Sequence, residues 1–231
     1  MQYDLITMSF LMSFAFTVSI TSIVFILSLA LTVVMGSKAY RVRSKSLEFW
    51  FTGMMVFTIS VLFEIIFAVG YYPALLLKSY LFLVAAIVEL LALGSVSLAG
   101  KGKYTISYSL YCIVTSIFLI YTLASGALGK MIISHVFFGP LPIMITVASS
   151  LITFPAAVII LVKAALDYRK SHSPNMISII VGVVVVSVAG TLYITGFPSF
   201  LYLAEFIGIF LLWFGFVRIP NPLRRSQPAG T

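Results

Sequence analysis

The chain has 231 residues, of which 61% are hydrophobic and only 9% are charged, and its formal net charge at pH 7 is +8. This composition excludes an ordinary soluble globular domain and indicates an integral membrane protein. A single cysteine excludes a disulfide framework, and the basic residues do not indicate nucleic-acid binding, because they lie in short loops between apolar runs rather than on one surface.

Glycine, proline and charged residues divide the chain into seven apolar runs, each near the ~20 residues that a helix needs to cross a membrane. We predict an all-α, polytopic membrane protein, a seven-transmembrane-helix bundle that forms a single domain over residues 1–231. The predicted spans are approximately 7–35, 48–70, 73–99, 104–125, 138–165, 175–195 and 198–218. The very short turns "GYYP" and "TGFP" predict helical hairpins in which proline opens the second helix.

The first span carries a stripe of hydroxyl side chains. It begins without the basic segment of a signal peptide and is too long for a cleavable signal core, so we interpret it as a transmembrane helix. At about 100° per residue the hydroxyls share one side of the helix, which indicates either a polar seam or ordinary interhelical packing. The stripe consists of Ser9, Ser13, Thr17, Thr21, Ser28 and Thr32.

The second and third spans contain ionisable residues at costly positions. A charged group at the bilayer centre costs about 2.5–3.5 kcal/mol on insertion scales, so such groups usually face protein or water. Small residues lie four positions before and four positions after Glu64, on the same face of the helix. Glu89 shares a helical face with alanines that permit close approach of another helix. Both carboxyl groups are therefore expected to point into the bundle, with function and structural hydrogen bonding as equal alternatives. Lys78 lies near the start of its helix and is expected to extend its side chain toward the outer surface.

The fifth and seventh spans add a hinge and a third glutamate. Pro155 lies inside the fifth span, where it should kink the helix and free a carbonyl group, so it is the hinge candidate. Glu205 shares a face of the seventh span with Gly208 and Gly215 and lies at a depth similar to that of Glu64. We therefore expect these two glutamates to be neighbours. The candidate substrate- or ion-binding residues are Glu64, Glu89, Glu205, Lys78 and Tyr202.

The loops predict the orientation of the chain. Twelve of the fourteen lysines and arginines fall on one side of the predicted bundle, and only Lys78 and Lys130 fall on the other. This bias predicts an external N-terminus and a cytoplasmic C-terminus in the cell membrane. The expected partner is the lipid bilayer, with anionic headgroups at basic loops such as "KAYRVRSK"; no nucleic-acid partner is expected, and a protein partner is left open.

Two stretches resemble each other, and the layout resembles known families. "GYYPALLLKSY" and "GFPSFLYLAEF" share a glycine, an aromatic residue and a proline, which indicates either a 3+1+3 repeat of helices or only the residues that tight turns between helices favour. The seven-helix layout is similar to that of microbial opsins, but the retinal-binding lysine is missing from the last span. It is also similar to 3+1+3 sugar exporters, without their proline-glutamine motifs. "YYPALLLKSYLFLVAAIVELLALGSVSL" and "FPSFLYLAEFIGIFLLWFGF" together resemble an uncharacterised group of prokaryotic seven-helix membrane proteins, which implies the topology and no activity.

Several residue patterns that are typical of cofactor binding or catalysis are missing from the sequence. The spans lack paired histidines for haem, a Ser/His/Asp set, a histidine-rich metal motif and a glycine-rich phosphate loop. We therefore predict no cofactor, no metal, no catalytic residues and no enzymatic activity. The favoured hypothesis is a transporter or conduit for a proton, cation or small solute that uses the buried glutamates. The alternative is an accessory, sensor or receptor-like subunit of a membrane complex.

Overall fold

A computed structural model describes most of the chain and shows a helical bundle. The described residues are 14–98, 102–128, 132–133, 136–137, 141–172, 177–178, 180–182, 184–185 and 199–217, without the side chains of 132–133, 136–137, 171, 199–202 and 216–217. The helices are α1 (Phe14–Val42), α2 (Lys45–Ala68), α3 (Ala74–Ser97), α4 (Gly102–Ser125), α5 (Ile143–Ser171) and α6 (Ser199–Val217).

Five of these helices, α1 to α5, are long and apolar enough to cross a membrane. Helix α6 contains a shorter apolar stretch, Leu203–Gly215. Large hydrophobic side chains are exposed along the outer faces of these helices, where lipid would cover them. The chain is therefore a multi-pass helical membrane protein, as the composition indicates.

Helix α1 extends seven residues beyond the predicted end at residue 35. Gly36 does not stop the helix; instead it makes room for a neighbour, since a Cβ there would lie 2.8 Å from Cε2 of Phe51 in α2. The helix ends where Arg43 takes a left-handed conformation, with φ of 49°. The helix continues past the predicted span because Lys38 and Arg41 are good helix formers that extend it beyond its apolar part. Residues 7–13 of that predicted span lie outside the described residues.

The turn between α2 and α3 follows the prediction from "GYYP". Gly70 has φ of +97°, a conformation that favours glycine, and Pro73 is the residue that caps the start of α3. Tyr71 and Tyr72 between them are exposed. This tight turn sets α2 and α3 side by side as an antiparallel hairpin. The corresponding "TGFP" turn lies outside the described residues.

Helix α3 is central, because it packs against α2, α4 and α5. It comes close to α2 at Gly94, where a Cβ would overlap the indole ring of Trp50. The Trp50 Nε1–H donates to the carbonyl of Leu91 at 3.0 Å, and the Ser46 hydroxyl donates to the carbonyl of Gly94 at 2.7 Å. These contacts close the seam between the two helices at the end opposite to the "GYYP" turn.

The hydroxyl stripe of α1 serves helix packing in its described part. Thr17, Thr21, Ser28 and Thr32 are all buried. The hydroxyls of the last three bond to carbonyl groups of their own helix, and Thr32 also shares a 3.0 Å bond with Thr58 of α2. The packing interpretation is therefore favoured over a polar seam. Ser9 and Ser13 lie outside the described residues.

Two features near α5 differ from the sequence prediction. Ile132–Ile133 (β1) and Val136–Phe137 (β2) pair as a two-residue antiparallel ladder in a stretch that was predicted as a loop. Helix α5 begins at Ile143 rather than at 138, because Pro142 caps it, and it ends at Ser171, beyond the predicted 165. Pro155 lies inside this helix, as predicted.

The predicted sixth span is described only in part. Residues 177–178, 180–182 and 184–185 are helical. The Ser178 hydroxyl donates to the carbonyl of Leu211 at 2.6 Å, and a Cβ at Gly182 would lie 3.3 Å from the carbonyl oxygen of Gly208. This segment therefore packs closely against α6.

Candidate functional site

The carboxyl groups of Glu64 and Glu205 meet between α2 and α6. Their carboxyl groups lie close enough to interact with each other, although 141 positions separate them in the chain. Glu64 is about 6 Å from the end of α2 and Glu205 about 9 Å from the start of α6, at 1.5 Å per residue. The neighbourhood expected from their similar depth is thus present in the structure. We call these two residues the carboxyl pair.

Tyr80 of α3 fixes the position of Glu64. Its hydroxyl donates to Glu64 Oε1 at 2.6 Å. The ring of Tyr80 is held in turn by an edge-on contact with Phe67, with the ring centroids 5.4 Å apart. Glu64 and Tyr80 are both buried. The carboxyl pair is therefore connected to three helices, α2, α3 and α6.

One oxygen of each carboxyl group in the pair has no donor. Glu64 Oε2 and Glu205 Oε2 are buried and accept no bond from any donor in the described part of the chain. Two ionised carboxylates in contact, away from water, would repel each other strongly. A proton between them removes that repulsion and supplies the missing donor. The geometry therefore suits a site that holds one proton, or one other positive charge, at a time.

A partly open cavity of about 100 Å³ lies beside Glu205, which is the only ionisable residue among the described residues of its lining. The remaining walls are apolar side chains of α2, α3, α5 and α6. They include Met54, Phe57, Val88, Leu91, Ala157 and Ile209. The lining residues of α2 precede Glu64 in the chain and those of α6 follow Glu205, so the cavity extends from the pair toward the middle of the bundle. Trp50 lies one helical turn beyond Met54, next to the closed α2–α3 seam.

Glu89 does not join the carboxyl pair. It is buried, as predicted, but it faces α4, where Oε2 accepts a bond from the Ser116 hydroxyl at 2.9 Å and Oε1 lies 3.3 Å from the Thr115 hydroxyl. The Cys112 thiol also contacts its carboxyl group. Both oxygens of Glu89 therefore have hydroxyl neighbours, in contrast to the unpartnered oxygens of the pair. The three glutamates form two separate polar sites on different sides of α3.

The other two candidate residues lie away from these sites or beyond the described side chains. Lys78 Nζ donates to the carbonyl of Ala124 at 3.3 Å, near the end of α4. A lysine that binds the last carbonyl groups of a neighbouring helix fits the predicted extension toward the surface. Tyr202 is part of α6, but its side chain is outside the described part of the structure.

Pro155 frees a carbonyl group, and a neighbouring helix captures it. Because proline has no N–H, the carbonyl of Leu151, four residues earlier, loses its helical donor. The hydroxyl of Tyr111 in α4 donates to this oxygen. The freed carbonyl expected from the sequence is therefore satisfied across a helix interface. Pro155 itself is not in the lining of the cavity, but Ala157, two residues later, is.

Sequence reasoning missed the tyrosines and hydroxyls that hold these groups. Tyr80 lies sixteen residues after Glu64, and the short "GYYP" turn was a signal that these two positions face each other in a hairpin. Tyr111 and Ser116 gave no such signal, because α3, α4 and α5 pair in a register that the loops between them do not set. Helical phase alone indicated that Glu89 turns inward and not which helix it meets.

Together these observations define the class of protein: a multi-pass helical membrane protein with two neighbouring glutamate carboxyl groups, one of which lines an apolar cavity. Comparison with known proteins adds no narrower assignment, since no family model, no curated protein and no solved structure matches the chain.

Proposed function

We propose that the protein is a transporter or conduit in which the carboxyl pair exchanges a proton for a cation or a small cationic solute. The observation that carries this proposal is the contact between Glu64 and Glu205, each with a buried and unpartnered oxygen. A site of this kind binds one positive charge favourably, because two carboxylates with no positive charge between them repel each other. Transport would follow because the bound proton can be replaced by a cation.

A purely structural role for the pair is the less favourable interpretation. A structural hydrogen bond between helices is satisfied by a carboxyl group and a hydroxyl, as at Glu89 and Ser116. Two facing carboxyl groups instead keep a charge in the bundle, which costs free energy that helix packing alone does not require. Such intramembrane acidic groups are usually associated with proton or ion pathways.

The proposed architecture is the seven-helix bundle with an external N-terminus, a cytoplasmic C-terminus and a 3+1+3 arrangement of helices. In this orientation the carboxyl pair lies in the outer part of the bundle and the cavity extends inward from it. The Trp50–Gly94 seam then closes the cytoplasmic side of the path. Anionic lipid headgroups are the proposed partners of the basic cytoplasmic loops.

Movement between outward and inward access is proposed to use α5. Pro155 weakens the backbone hydrogen bonding of this helix, and the bond from Tyr111 to Leu151 holds the weak point in one arrangement. Breaking that single bond would let the part of α5 that lines the cavity shift relative to α4. The proline and tyrosine therefore supply a bistable element next to the binding site.

Flux measurements on purified protein test the proposed function. The protein is reconstituted into liposomes that are acidic inside and contain a pH-sensitive dye, and proton efflux is recorded under a membrane potential and with added sodium, potassium or organic cations. Wild type should release protons under at least one condition. Glu64→Gln and Glu205→Gln should reduce that efflux to the background of empty liposomes, because each removes a carboxyl group of the pair.

The matched control is Glu48→Gln, which removes an exposed glutamate from the first turn of α2 and should leave the efflux unchanged. Wild-type protein without proton efflux under any condition, or unchanged efflux in both variants of the pair, would contradict the proposal. If such inactive protein also co-purifies from native membranes with a stoichiometric partner, the accessory-subunit hypothesis takes its place.

A further inference from the structure

The walls of the cavity restrict what the carboxyl pair can exchange. Among the described residues that line it, Glu205 is the only polar one, and the other nine are hydrophobic. An inorganic cation that gives up its water needs several oxygen ligands, about six to eight for a calcium ion. The described residues contain no group of three side chains suited to hold a metal ion. The described lining therefore offers one carboxyl group, where a bare metal cation would need several oxygen ligands.

A proton alone does not account for the cavity. A shared proton lies between the two carboxyl groups and occupies no additional space, whereas the cavity beside them has about 100 Å³. Neutral polar solutes such as sugars fit no better, because they need several hydrogen-bonding side chains and the described lining offers one. The combination of a single carboxyl group with apolar walls favours a solute that has one positive charge and an apolar body.

From these constraints we infer that the solute exchanged at the carboxyl pair is a small alkyl-substituted ammonium ion, whose charge lies at Glu205 while its alkyl groups fill the apolar cavity. This inference rests on the proposed function and names its substrate class. The exchange is balanced: one proton leaves the pair as one monovalent cation enters, and no covalent bond other than that to the proton is broken. Glu205, whose Oε2 is buried and unpartnered, supplies the carboxyl group in the cavity lining for the bound charge.

The size of the cavity limits the size of the alkyl groups. An apolar cavity of about 150 Å³ binds benzene, so the enclosed part of this cavity, about 100 Å³, suits a body of about four heavy atoms. Methyl-substituted ammonium ions are near this size, and ions with longer chains exceed it. The aromatic ring of Phe57 in the lining adds a surface that attracts organic cations.

Tetramethylammonium is the probe for this inference, because it carries a permanent charge and does not cross lipid by losing a proton. Wild-type protein in acid-inside liposomes should take up labelled tetramethylammonium and release protons at the same time. Tetraethylammonium, which is larger, and potassium, which has no apolar body, should be neither transported nor able to compete. Glu205→Gln should lose the uptake, and Glu48→Gln should retain it.

The outcomes separate failure of the substrate assignment from failure of the proposed function. Proton exchange that depends on the carboxyl pair but runs with potassium or sodium, and not with tetramethylammonium, would overturn the substrate class alone. Equal uptake of tetraethylammonium would overturn the assignment of the cavity as the binding site. Absence of any proton exchange in the wild type would overturn both proposals.

Discussion

At the scale of single residues, Tyr80 is the donor that keeps a carboxyl group of the pair in place. Its hydroxyl bonds to Glu64 Oε1, and its ring is held against Phe67 by an edge-on contact. Replacement of Tyr80 by phenylalanine would therefore remove the polar contact and retain the apolar one. This separation makes Tyr80 suitable for testing the energetics of the pair without opening a cavity.

Tyr80→Phe should lower the melting temperature of the purified protein. The substitution leaves Glu64 Oε1 buried without its donor, which costs about 1–3 kcal/mol for a bond of this kind. Unfolding is conveniently followed with a thiol-reactive dye, since Cys112 is the only cysteine and is buried in the folded protein. Tyr71→Phe is the control, because Tyr71 is 65% exposed in the turn. Equal melting temperatures for the two variants would show that the Tyr80 bond does not stabilise the fold.

At the scale of secondary structure elements, α5 depends on α4 to complete its hydrogen bonding. The proline at position 155 removes one donor from the helix, and the hydroxyl of Tyr111 replaces it at the carbonyl of Leu151. Buried or lipid-facing carbonyl groups are costly when unpaired. The irregular point of α5 is therefore coupled to its neighbour by one identifiable bond.

A double-mutant cycle should reveal this coupling. Tyr111→Phe should destabilise the wild type by about 1 kcal/mol, because the Leu151 carbonyl loses its donor. In Pro155→Ala the helix supplies its own N–H, so the added Tyr111→Phe substitution should cost little. Melting temperatures of the four proteins, measured by circular dichroism, give the comparison. An equal cost of Tyr111→Phe in both backgrounds would contradict the proposed replacement of the missing donor.

At the scale of the whole molecule, the sequence predicted the helical membrane architecture better than it predicted the partners within it. Composition and the positions of glycine, proline and charged residues predicted the long apolar helices, and the "GYYP" turn predicted how α2 and α3 pair. The similar depth of Glu64 and Glu205 along their helices predicted that these two residues are neighbours. The hydroxyl partners of Glu89 depend on the register between α3 and α4, which arises from packing of whole helix surfaces and has no short signal in the chain.

The orientation of the bundle remains a prediction that labelling can test. In a Cys112→Ser background, single cysteines replace Ser44, in the connection between α1 and α2, and Tyr72, in the turn between α2 and α3. Ser44 makes no side-chain capping bond, and Tyr72 is 48% exposed, so both substitutions should be tolerated. A membrane-impermeant thiol reagent added to intact cells should label position 72 and not position 44. Labelling at position 44 alone would reverse the orientation.

The contact between Glu64 and Glu205 has an electrical consequence for any exchange that it supports. Two carboxylates with one proton, and the same two carboxylates with one monovalent cation, carry the same net charge. The membrane potential, which contributes about 2.3 kcal/mol per elementary charge at 100 mV, would therefore change the free energies of the two loaded states equally. A one-for-one exchanger of this kind would be driven by the difference in acidity between the two sides and would be indifferent to the membrane potential.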